Sequence, residues 1–169
     1  MGRMPISRTL VGLVLALSLS GCAATIELGE TKRSVAEACE ALVLDYAYHR
    51  DRLDAQAVAQ LFTPGAVMIV QGQTFVGREA IFDRLAAPNQ PVTQHLMSTI
   101  RIFPGGPDEK TATGVSYASI YLAPANPDGG PASVRNITAV GEYRDEFRLT
   151  DEGWKIARRE FVVNFVPES

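Results

Sequence analysis

Two cysteines, two histidines and one tryptophan are all that this chain of 169 residues holds of those types. The two histidines stand in no Cys/His cluster along the sequence, and no metal site is expected. No glycine-rich phosphate loop is present, and no cofactor is expected. The formal charge is −3 and no basic run interrupts it, which leaves no electrostatic footprint for nucleic acid. Nowhere does an apolar stretch reach the about 20 residues that span a bilayer. Internal repeats and low-complexity tracts are absent from the sequence as well.

What is present begins with Arg3 and Arg8, an apolar core from Thr9 to Leu19, and the stretch LSLSGC ending at Cys22. A positive start followed by a short apolar core has the form of an export signal. Its ending resembles a bacterial lipobox. That resemblance implies removal of residues 1–21, acylation of Cys22 and a lipid anchor on a membrane facing the periplasm or cell surface. Ala23, where an aspartate would signal retention, favours the outer membrane. The alternative is an ordinary export signal with an incidental cysteine. Loss of Arg3 and Arg8 would take the formal charge from −3 to −5. With Cys22 acylated only Cys39 remains, so no intrachain disulfide can form. Cys39 lies in an apolar helical stretch and reads as a small core residue. Residues 22–33 read as the lipidated cysteine and a tether, and 34–169 as one domain.

Ser34 and Glu37 form a capping-box pattern that predicts a helix from Val35 to Arg52. Val35, Ala38, Leu42, Tyr46 and His49 recur on one side of it. Asp54 is placed to cap a second helix that stops near Phe62, before Thr63-Pro64-Gly65. Ala66–Val70 reads as a strand, turned at Gln71-Gly72 back through Phe75 and Val76. Gly77-Arg78-Glu79 opens a third helix, ended by the PNQP stretch at 88–91. Four strands then follow, near Val92–Phe103, Thr111–Leu122, Val134–Leu149 and Gly153–Phe165. In the third, Gly141, Tyr143, Asp145, Phe147 and Leu149 alternate with Glu142, Arg144, Glu146 and Arg148, so one face is covered and one solvated. The predicted class is α+β: three N-terminal helices on the inner face of a curved antiparallel sheet.

This order resembles the cone of nuclear transport factor 2. The stretches YAYHRDRLDAQAVAQLFTPGAVM, GREAI, TQHLMSTIRI and YRDEFRLTDEGWKIARR are similar to its SnoaL-like branch, which includes scytalone dehydratase and bile acid dehydratase. The resemblance covers residues 35–165. It implies a pocket for a small, largely apolar molecule, and a homodimer. It implies His95 as a base oriented by Asp51 of Asp51-Arg-Leu-Asp54, Tyr46 as a pocket tyrosine, and Arg158 as the pocket arginine. Tyr143, Tyr48 and Asp145 join Arg158 as candidate substrate contacts. The departures are Ser116, where scytalone dehydratase has a second histidine, and Tyr143, where it has an asparagine. The aspartate base of ketosteroid isomerase would fall near Val70.

A neutral imidazole is a suitable base near neutral pH, and a carboxylate on its other nitrogen fixes the tautomer. The residues also admit plainer roles. Asp51 can pair with Arg50, Arg78 or Arg158 as a structural carboxylate, and Tyr46 and Tyr143 can be core aromatics. Strict alternation along 92–103 sets His95 and Met97 against Leu96, Ile100 and Ile102, and favours the second set for the core unless a bulge intervenes. Arg158 and Arg159 are adjacent, so only one faces inward. His49, Arg50 and Arg52 read as helix-surface groups. Two functions therefore stand side by side: a dehydratase or isomerase with a His–Asp dyad, and a non-catalytic ligand-binding or assembly module of the same fold.

Overall fold

The computed structural model describes residues 20–105, 108 and 110–168, with 20–34 by backbone course alone. Helix α1 runs Ser20–Asp51, α2 Ala55–Gln60 and α3 Arg78–Ala86. The strands are β1 Phe62–Val70, β2 Gln73–Val76, β3 Val92–Pro104, β4 Thr111–Ala123, β5 Ala139–Thr150 and β6 Gly153–Phe165. They form one curved sheet in the order β2-β1-β6-β5-β4-β3. Every pairing is antiparallel except β1 with β6, which run parallel. The α+β architecture, with the helices at the N-terminal side, is the one expected.

Two boundaries differ from the sequence reading. Helix α1 continues back through the segment expected as a tether, and the Ser34 capping box lies within it. Residues 23–33 contain no proline and several good helix formers, so nothing local stops the helix. The export signal expected over residues 1–21 lies outside the described residues as far as residue 19, and the side chain of Cys22 is not described. Strand β5 begins at Ala139 and not at Val134. The chain joins the sheet at Thr138, whose N–H donates to Ile120 O at 2.7 Å and whose Oγ1 accepts from Leu122 N–H at 2.9 Å.

The C-terminus of α1 is closed by Leu53 in the left-handed region (φ 58°). There Asp54 N–H donates to His49 O at 3.0 Å, the return bond typical of helix ends. Asp54 then caps α2, its Oδ1 accepting from Ala57 N–H at 3.0 Å. Gln71 and Gly72 both take positive φ at the β1–β2 turn, the twist that a two-residue hairpin requires. The core lies between α1 and the inner sheet face. Cys39, Val43, Val58, Phe62, Met68, Ile81, Phe147 and Ile156 are fully buried there. Burial pushes the Cys39 thiol up to about 12, with the charge of Asp145 adding to it, and a thiol so placed is packing rather than nucleophile.

A bulge decides which face of β3 turns inward. The pairing with β4 slips between Ser98 and Arg101, and Thr99 sits at φ 48°. The extra residue reverses the alternation midway along the strand. Thr93, His95 and Met97 therefore face the helices before it, and Ile100 and Ile102 after it, while Leu96 is left exposed.

Candidate active site

Asp51 is the last residue of α1 and meets β3, the outer strand of the sheet. Its carboxylate gathers four donors. His95 Nδ1 lies 2.5 Å from Oδ1, and Thr93 Oγ1 donates to the same oxygen at 2.9 Å. The His95 main-chain N–H reaches Oδ2 at 2.8 Å, and the Gln94 side-chain amide reaches it at 3.2 Å. An edge strand leaves backbone N–H groups without a strand partner, and Asp51 takes the one at His95. The two side chains are only 5% and 9% exposed. Burial by itself would raise the Asp51 carboxyl, but the hydrogen bonds and charge of His95, with Thr93, outweigh it and hold the group below its ordinary value. Ionised, the carboxylate only accepts, so Nδ1 is the protonated ring nitrogen. A neutral His95 then carries its lone pair on Nε2.

The His95 ring lines a cavity of about 140 Å³. Its walls are largely apolar, supplied by Met68 and Val70 of β1, Leu85 of α3, Ile120 and Leu122 of β4, and Phe161 and Val163 of β6. Tyr46 and Tyr143 contribute hydroxyl-bearing rings, with centroids 5.6 Å apart and each 6.3 Å from the imidazole. Burial pushes the Tyr143 phenol well above its ordinary value, and neighbouring Tyr46 pushes the same way. The Tyr143 phenol thus remains a donor at neutral pH. The Arg159 guanidinium stacks on both rings, 4.2 Å from the centroid of Tyr46 and 4.6 Å from that of Tyr143. Fully buried, it binds Asp145 through two hydrogen bonds of 2.7 and 2.8 Å. Among the described residues, no group of three or more His, Cys, Asp or Glu side chains is arranged to hold a metal ion.

A SnoaL-like domain model matches residues 33–160. The chain belongs to the SnoaL-like family. No curated protein matches it. Among solved structures, a candidate scytalone dehydratase from Novosphingobium aromaticivorans is 23% identical with a TM-score of 0.68, covering 83% of this chain and 91% of that one. A protein of nuclear transport factor 2 type with a cystatin-like fold, from the same organism, is 23% identical with a TM-score of 0.65, covering 87% and 90%. The hexachlorocyclohexane dehydrochlorinase LinA-type3 from Novosphingobium barchaimii is 16% identical with a TM-score of 0.65, covering 82% and 92%. At such identities the likeness is one of fold.

In this SnoaL-like domain the expected site residues divide. Asp51, His95, Tyr46 and Tyr143 come together. Arg158 does not: it binds Glu160 at 2.6 Å and lies 3.8 Å from Glu146. Cross-strand partners share a face. Arg158 pairs with outward Glu146, whereas Arg159 pairs with inward Asp145, so the inner arginine is Arg159. Asp145 is held by Arg159 and does not line the cavity. Tyr48 is 53% exposed beneath the Arg52 guanidinium, 3.5 Å from its ring centroid; two residues on from Tyr46, it turns to the opposite side of the helix. Leu149, expected on the covered face, is 41% exposed at the strand's end. Ser116 is fully buried beside Tyr143, its hydroxyl unpaired among the described residues. Arg50, Arg84 and Gln90 line the cavity and were not expected there. Arg50 carried a usable signal, since it lies one helical turn beyond Tyr46.

Proposed function

We propose that this SnoaL-like protein is a cofactor-independent dehydratase or isomerase acting on a small, largely apolar carbonyl compound. The observation that carries the proposal is the buried His95–Asp51 pair beside an open cavity. His95 Nε2 takes a proton from the carbon next to the carbonyl. The electron pair moves toward the carbonyl oxygen, where the Tyr46 or Tyr143 hydroxyl donates to the developing charge. Asp51 stabilises the imidazolium so formed. In dehydration the enolate collapses to a double bond as the β-hydroxyl leaves, and the imidazolium gives its proton to that oxygen to release water. In isomerisation the same proton returns to a different carbon.

The test is a screen of β-hydroxy-ketones and β-hydroxy-acids for water loss, followed through the ultraviolet absorption of the conjugated product. Turnover that disappears in His95→Ala supports the proposal; turnover unchanged in that variant, or none across the set, overturns it. A second reading, a ligand-binding module without turnover, draws on Ser116 at the place of scytalone dehydratase's second histidine. Binding without water loss would favour it. The lipid anchor at Cys22 belongs to the proposal too, and palmitate labelling that persists in Cys22→Ser would overturn it.

A further inference from the structure

We infer that the molecule taken by this cavity carries a carboxylate, held at one end of the cavity by Arg50 and Arg84. The inference rests on reading that cavity as the ligand site, and it names the substrate class more narrowly: an organic acid with an apolar body. Arg50 comes from the C-terminal turn of α1 and Arg84 from the last turn of α3. Both line the cavity, and no aspartate or glutamate does. A chain of formal charge −3 thus presents a cavity lined, among the described residues, by two guanidinium groups and no carboxylate.

Gln90 brings the two together. Its Oε1 accepts from Arg50 Nη2 at 3.3 Å and from Arg84 Nη1 at 3.5 Å, and its Nε2 donates to Arg84 O at 3.2 Å. A neutral amide oxygen fixes the pair without cancelling its charge. Four other arginines have acidic partners, Arg78 with Glu152, Arg144 with Glu142, Arg158 with Glu160 and Arg159 with Asp145, whereas the outward Arg52, Arg101, Arg135 and Arg148 have none among the described residues. Among the described residues, neither Arg50 nor Arg84 lies within ion-pair distance of a carboxylate. Two like charges held side by side repel, and an anion between them relieves the repulsion. Guanidinium groups suit a planar two-oxygen anion best. Arg50 stands one helical turn, about 5–6 Å, beyond Tyr46. A carboxylate at the arginines therefore leaves the apolar body, and the reacting carbon within it, near His95 and the tyrosines.

The experiment compares 2-naphthoate with 2-naphthamide, probes of matched shape, by calorimetry at low and high salt. Naphthoate is expected to bind at least about tenfold more tightly, which corresponds to roughly 1.4 kcal/mol, with the advantage shrinking as salt screens the half-exposed arginines. Arg50→Gln and Arg84→Gln should each remove most of it and the double variant all of it. Arg50→Lys and Arg84→Lys should retain part, and Arg144→Gln on the outer sheet face should retain all. Thermal unfolding checks that each variant is folded. Equal binding of the two probes, no binding of either, or a preference that survives the double variant would overturn the inference. Equal binding alongside His95-dependent turnover would remove the arginine site and leave the dehydratase standing. A carboxylate preference without turnover would do the reverse.

Discussion

Replacing Arg159 by methionine should destabilise the protein far more than replacing both members of its ion pair. The single change leaves Asp145, 3% exposed, without the two donors it now accepts from at 2.7 and 2.8 Å. An uncompensated buried charge costs roughly 3–5 kcal/mol, a large part of the about 5–15 kcal/mol that holds a domain folded. With a urea dependence of about 2 kcal/mol per molar, the unfolding midpoint should drop by roughly 2 M. The deficit should narrow in acid, because the stranded carboxylate can take up a proton. Arg159→Met combined with Asp145→Leu buries no charge and should recover to within about 1–2 kcal/mol of the parent, since apolar replacements of buried pairs are often near neutral. Urea unfolding of the four proteins, followed by tryptophan fluorescence, completes the cycle. If the double variant falls by the sum of the two singles, or Arg159→Met shifts the midpoint by less than about 0.5 M, the reasoning fails.

Asp51→Asn should keep the fold yet lower His95-dependent turnover by about 10²–10⁴-fold, because an amide no longer enforces the Nδ1–H tautomer; an undiminished rate would remove Asp51 from the mechanism. The same variant should flatten the acid limb of stability. A carboxyl held low in the folded state contributes stability above its unfolded value of about 3.9, and that contribution is lost as pH falls through the folded value; unfolding measured from pH 6 down to pH 2 reads it. Gly141→Ala should destabilise by about 1–3 kcal/mol, because an added Cβ would lie 2.1 Å from Val162 O. Gly65→Ala, with nothing within 4 Å, is the control, and equal melting temperatures would refute the difference. Deleting Thr99 removes the bulge residue, so one strand can no longer turn both His95 and Ile100 inward; a loss of at least about 3 kcal/mol in urea unfolding is expected.

Local patterns were legible where one residue type determines its own neighbourhood. Asp54 as a cap, Gln71-Gly72 as a turn and the inward run Gly141, Tyr143, Asp145, Phe147 stand in the structure as the sequence implied. The orientation of His95 was not legible from alternation alone, since it depends on a bulge at Thr99, a β-branched residue that gives no sign of positive φ. Arg158 and Arg159 are chemically identical neighbours, and only the register with β5 separates them. Arg50, Arg84 and Gln90 come from three segments that meet only in the folded chain. The back-extension of α1 escaped because a capping box marks where a helix can start without obliging it to start there.

The bond between Asp51 and His95 also joins the end of α1 to the outermost strand. A carboxylate at a helix C-terminus is electrostatically out of place, and β3 supplies the donors that make it tolerable. Under the proposed mechanism, the base and its orienting group therefore exist as a pair only in molecules whose helix has settled on the sheet. Chains assembled any other way would be chemically silent. The specific activity of a preparation would then count its correctly assembled fraction, without a separate assay of folding.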